Sequence, residues 1–235
     1  DNSNQPNIKA NYDLDTYLKF RLIISWASVI VILIGLVGNF VSFVVLINSK
    51  MRIATNVFLA SLCVSGFIAL IGLLINSTIY ELLAYYGRFN ELKTLFSFYP
   101  YVYPLITTFQ MASILLTVCV SVNQFVCIYF NKLKTHTKKT QSQECRSAFR
   151  IVLIMYLISI IYCIPYWLKF KYTAELGLFE TKLGSDPLFK RLVHFYLYLP
   201  IVYILPFSIL IFTNTYLIGT LMLARKRRIR LNMGV

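Results

Sequence analysis

The chain has 235 residues, 58% of them hydrophobic and 14% charged, against about 25% charged in a soluble globular domain. Its 23 basic and 9 acidic residues give a net charge of +14, a balance that raises nucleic acid as a partner until the positions of the charges are considered. Five stretches, Leu22–Asn48, Val57–Tyr80, Leu95–Phe130, Ile151–Leu168 and Leu192–Ala224, contain no Asp, Glu, Lys or Arg, and each reaches the ~18 residues that nominate a membrane helix.

Hydrocarbon cannot satisfy exposed backbone groups, so such spans must be helical. The predicted fold class is an all-α integral membrane protein with five transmembrane helices, at about 22–48, 57–80, 101–130, 151–168 and 192–224. They form a bundle over 22–224 between an N-terminal tail, 1–21, and a basic segment, 225–235. The tail is no secretory signal, because its 21 mixed polar residues precede an apolar run far longer than a signal's apolar region.

The first span carries Gly35, Gly38 and Asn39 in a Val/Ile/Leu-rich run. Small residues let helix backbones approach, and an amide in the bilayer seeks a partner across a helix interface. The second opens with Asn56, Leu59 and Leu62 and reaches Ser65 and Gly66. Near its end, Asn76-Ser77-Thr78 matches a glycosylation sequon, but its place within an apolar run argues against modification.

The third span places Gln110, Ser113, Thr117, Ser121 and Gln124 at spacings of three and four, one face of a helix. A polar stripe through an apolar segment faces the bundle interior or a wet cavity, serving interhelical hydrogen bonds or a ligand. Pro100 and Pro104 stiffen its approach among Phe98, Tyr99, Tyr101 and Tyr103, ring types that also populate membrane interfaces. The fourth span closes in Ile164-Pro165-Tyr166-Trp167; the fifth holds Pro200, Pro206 and Asn214, and each internal proline frees a carbonyl and kinks the rod.

Between these spans the charges sort by alternation. Segments 49–56, 131–150 and 225–235 carry 13 Lys/Arg against one acid, Glu144; segments 1–21, 81–94 and 169–191 carry 10 against eight. The positive-inside rule then puts the N-terminus outside and the C-terminal end in the cytoplasm. The Arg225–Arg230 run is thereby explained by an inner-leaflet or partner-facing surface, with no nucleic acid. Four of the five cysteines lie within apolar runs and Cys145 in a basic connection, which offers neither a bridge between exterior loops nor zinc spacing. With only two histidines, His136 and His194, and no intramembrane acid–base pair or glycine-rich phosphate loop, the expectation is a protein that is not an enzyme and takes no cofactor or metal.

Gly38-Asn39, Asn56-x-x-Leu59-x-x-Leu62 and the Pro206-to-Asn214 stretch resemble the rhodopsin-like G-protein-coupled receptors, in register over about residues 25–230. Tyr99-Pro100-Tyr101-Val102-Tyr103-Pro104, Ile164-Pro165-Tyr166 and Ile204-Leu205-Pro206-Phe207 resemble, more narrowly, invertebrate FMRFamide-type neuropeptide receptors. The resemblance implies the first five of seven helices, the sixth and seventh lying outside this sequence. It also implies a plasma-membrane receptor for a short extracellular peptide, acting on a heterotrimeric G-protein at the inner face. Matching positions put the ligand near Tyr103, Thr107, Gln110, Trp167, His194 and Tyr198, where the exterior acids Glu175, Glu180 and Asp186 are available to a cationic peptide. The switch positions are Gly38, Asn39, Asn56, Gly66, Asn123, Gln124, Phe125, Pro206 and Asn214.

Several of these depart from the family. Gly66 stands where the sodium-holding Asp falls, and Asn123-Gln124-Phe125 replaces Asp-Arg-Tyr. Tyr99 replaces the third-helix Cys of the loop disulfide, and Ile106 the amine-binding Asp. Such losses keep open a non-signalling decoy or pseudogene product. A five-span transporter or channel component is a further alternative, for which inverted repeats and midplane ionisable groups are missing from the sequence.

Overall fold

The computed structural model describes residues 5–48, 54–133 and 141–232. Five helices in it are long and apolar enough to cross a membrane. All five run past their charge-free stretches at one end or both. A stretch without charge measures how much hydrocarbon a helix can cross, not where its hydrogen bonding stops. Residues such as Lys19, Glu81 and Arg146 are adequate helix formers and simply continue the rods. The helix α1 (Gln5–Asn48) thus extends through the polar segment expected as a tail.

The second rod is α2 (Ala54–Leu73), a π-helical turn over Leu74–Ile79, and α3 (Tyr80–Tyr85). Its end is specified by Gly87, at φ 67°. The Gly87 N–H donates to the Ala84 carbonyl and the Arg88 N–H to that of Leu83, at 3.3 and 3.0 Å, the paired bonds of a left-handed glycine cap. The third rod, α4 (Phe89–Leu133), has 45 residues with Pro100 and Pro104 inside it, and at 1.5 Å per residue it is about 68 Å long. The fourth is α5 (Gln141–Trp167).

Between the fourth and fifth rods, where the sequence predicts a loop, the structure has a β-hairpin. The strands β1 (Phe170–Thr173) and β2 (Gly177–Glu180) pair antiparallel, Phe170 opposite Glu180 and Thr173 opposite Gly177. A three-residue loop joins them, and Gly177, at φ 71°, takes the left-handed position such loops require. Two short helices follow, α6 (Lys182–Ser185) and α7 (Pro187–Arg191), capped by the Thr181 and Asp186 side chains.

The fifth rod then begins as π-helical segments over Leu192–Leu197 and Leu199–Ile204 before α8 (Leu205–Asn232). Pro200 lies in the second π-helical segment, where a widened turn absorbs the bond it cannot make, and Pro206 in the first turn of α8, where its missing N–H is tolerated.

The rod α4 is central, packing on α2, α5, α8 and both strands, while α1 packs chiefly on α2 and its continuation. Close approach of α1 to α2 comes at Gly35, where a methyl group would press on Leu70, and not at Gly38, which has nothing near it. A methyl on Gly72 would collide with Ile106 of α4, and one on Gly66 would meet the Asn39 amide at 3.2 Å. Two apolar clusters fill the interior, one around Met111, Cys163, Tyr166, Val193 and Val202, the other around Phe58, Leu116, Ala148 and Val152. The first lies at the end bearing the hairpin, the second toward the end bearing the basic connections. Ser65 and Ser159 are fully buried while Ile34 is 68% exposed, the reverse of the sorting that water imposes.

Candidate functional site

At the hairpin end the rings come from three elements. Tyr99 and Tyr103, one helical turn apart on α4, stack at 5.4 Å with their planes 6° apart. Phe170 of β1 meets both edge-on, at 5.3 and 5.7 Å, and Tyr166 of α5 meets Tyr103 at 6.2 Å. The hairpin is held there by polar ties. The Thr181 hydroxyl donates to the Leu168 carbonyl at 2.6 Å, and the Glu180 carboxylate pairs with Lys190 at 2.6 Å and reaches Lys169 at 3.9 Å.

Beneath the rings, Thr107, Gln110, Met111, Tyr162, Tyr198 and Val202 border a cavity of about 20 Å³. That volume fits one water, whereas ligand pockets run to about 300–1,000 Å³. Among the described residues, the hydroxyl of Tyr162 is buried without a partner at hydrogen-bonding geometry. Gln110, which also borders the cavity, is exposed. Tyr198 faces Tyr203, ring centroids 5.4 Å apart and hydroxyls 3.4 Å apart.

Of the six expected ligand residues, Thr107, Gln110 and Tyr198 therefore share the cavity, and Tyr103 packs on the apolar cluster beside it. Trp167 ends α5 on an exposed face away from it. His194 lies in the first π-helical segment, with its side chain outside the described residues. The exterior acids separate as well: Glu180 is paired and Asp186 caps α7, accepting from the Leu188 N–H at 2.9 Å, which leaves Glu175 exposed in the hairpin loop.

On the polar stripe of α4, and at Thr107 one turn before it, hydroxyls bond within the helix. The Thr107 and Thr117 hydroxyls return to carbonyls of their own helix, on Tyr103 and Ser113, each at 2.8 Å, while the Ser113 hydroxyl is buried without a partner among the described residues. Back-bonding of this kind is the local alternative open to Ser and Thr in helices. A tie from this helix to α2 is made by Asn123, whose amide donates to the Thr55 hydroxyl at 3.0 Å.

The chain matches no family model and no curated protein. What the site can do rests on its own residues.

At the basic end, Phe125 contacts three rings, those of Tyr216 at 4.8 Å and of Tyr129 and Phe212 at 5.8 Å, and so couples α4 to α8. Gln124 is half-buried beside it, Asn214 is exposed on α8 and Pro206 is buried. Asn39 and Gly66 meet across α1 and α2, and Asn56 borders a separate cleft. Among the described residues no three His, Cys, Asp or Glu side chains gather as a metal site, and no two cysteines form a disulfide.

Sequence reading missed several contacts. The Tyr156 hydroxyl of α5 lies 2.6 Å from that of Ser65 and donates to the Ser61 carbonyl of α2 at 3.2 Å. Arg21 and Ser25 of α1 both donate to the Glu81 carboxylate. The hairpin did have a signal, an alternation of apolar and polar residues over Leu168–Thr173 followed by Gly177.

Proposed function

We propose that the chain is a multi-pass protein of the plasma membrane, with the hairpin end outside and the basic end in the cytoplasm. We propose further that it is a rhodopsin-like receptor for a short, FMRFamide-type peptide, acting on a heterotrimeric G-protein. Buried hydroxyls beside exposed large apolar side chains support the membrane part, and the alternation of basic and mixed connections supports the orientation.

The observation that carries the receptor reading is the continuity of α4. One unbroken helix bears Tyr103, Thr107 and Gln110 at the hairpin end and Asn123 and Phe125 at the basic end. A rod of this kind transmits a tilt or rotation imposed at one end to the ring contacts at the other, provided the two end states differ in their affinity for the ligand.

The test expresses the chain in cells with a G-protein dissociation sensor and applies Phe-Met-Arg-Phe-amide and a panel of other short amidated peptides. The expected result is a saturable response to at least one peptide, weakened about tenfold or more by Gln110→Ala. Neither binding nor response across the panel contradicts the reading. Saturable binding without a response favours the decoy, for which Gln124 in place of the usual Arg is the supporting residue.

A further inference from the structure

A cleft of about 470 Å³ opens on the flank of the bundle at its basic end, between α1, α2 and α5. Its walls are bulky and apolar, with Phe43 and Ile47 from α1 and Phe149 and Leu153 from α5; α2 contributes the small residues Ala60 and Ser61. The polar atoms deep in it are already engaged. The Ser61 hydroxyl donates to the Val57 carbonyl at 2.9 Å, and the Tyr156 hydroxyl is turned to Ser65 and the Ser61 carbonyl. The interior therefore has little to offer a polar solute and suits an apolar chain.

The mouth is different. Cys145 and Phe149 line the cleft, and the next residues along α5 are Arg146 and Arg150, both exposed and in no ion pair among the described residues. Helical spacing sets them three residues before Phe149 and Leu153, on the same edge of the cleft. The segments 49–56 and 131–150, which lead into α2 and α5 at this end, carry eight basic residues against one acid. An apolar slot with a cationic rim is complementary to a lipid that has an anionic head.

From this complementarity we infer that the cleft is a binding site for an anionic phospholipid of the cytoplasmic leaflet, one acyl chain lying against Ala60, Phe149 and Leu153 and the phosphate group meeting Arg146 and Arg150. The inference rests on the membrane orientation proposed above and is independent of any peptide ligand.

The full chain in phosphatidylcholine nanodiscs, doped with phosphatidylserine or phosphatidylcholine bearing a photoreactive acyl chain, tests it through peptide mapping of the crosslinks. Labelling is expected to concentrate on 43–47, 57–64 and 149–156 and to favour phosphatidylserine by on the order of fivefold or more, since each surface Lys or Arg contributes about that factor. Arg146→Gln with Arg150→Gln, both at exposed positions, should bring the two lipids near parity. Ala60→Phe should lower labelling of the cleft by both.

Equal labelling by the two lipids in the unaltered chain overturns the inference, as does labelling spread evenly along α1. An acyl adduct on Cys145 in the intact mass, without phospholipid in the cleft, overturns it too. No labelling of any rod removes the membrane reading itself, whereas selective labelling in a chain that answers no peptide removes the receptor reading alone.

Discussion

At the hairpin end, Tyr99, Tyr103, Tyr166 and Phe170 interlock around Tyr103 beside a nearly filled interior, and Tyr166 is 4% exposed. At the basic end, Phe125, Tyr129, Phe212 and Tyr216 touch at similar centroid distances, yet Phe212 is 63% exposed. The same ring chemistry thus does two jobs. Buried rings are surrounded by atoms that must all move together, so the hairpin end is pre-organised. Exposed rings can change partners at little cost, so the basic end is where α4 and α8 can shift against each other.

The sharpest way to break this contrast is Tyr166→Ala. Removing a buried ring should cost about 3 kcal/mol, read as a lowered midpoint when a thiol-reactive dye follows the unmasking of buried Cys163 on heating. Phe125→Ala at the other end should cost about 1 kcal/mol, the order of its ring pairings, while changing the reactivity of exposed Cys127 nearby. Equal losses at the two sites would erase the distinction. Tyr156→Phe removes one α5-to-α2 hydroxyl tie and should cost roughly 0.6 kcal/mol. Least of all, Lys190→Ala should shift the midpoint by less than about 0.5 kcal/mol, with the difference fading in high salt because the pair is surface-exposed.

How far the sequence foretold this depends on which physical signal each feature leaves. The five rods were legible because each is written as an apolar stretch without charge, long enough to cross a membrane as a helix. Helix ends leave no such mark, and α4 begins at Phe89 rather than near 101 because Gly87, not the last charge, stops the preceding helix. Rotation is the hardest to read. The first span is apolar on every side, so nothing in its pattern shows that Gly35 rather than Gly38 faces α2. Thr107, Gln110 and Tyr198 border one cavity; Gln110 begins the polar stripe and Tyr198 precedes Pro200 in the fifth span. Trp167 follows Pro165 at a helix end, where composition does not fix the direction of a side chain. Contacts between connections, such as Arg21 with Glu81, depend on how far each helix extends beyond its charge-free core.

The central claim is that occupancy at the hairpin end is felt at the basic end through α4. The direct measurement places an environment-sensitive fluorophore on Cys127 in the purified full chain, with Cys145→Ser limiting labelling elsewhere, and titrates Phe-Met-Arg-Phe-amide or whichever panel peptide binds. The account predicts a saturable change in emission whose midpoint matches binding and moves to higher concentration in Gln110→Ala. Saturable binding with no change in emission at Cys127 would contradict it.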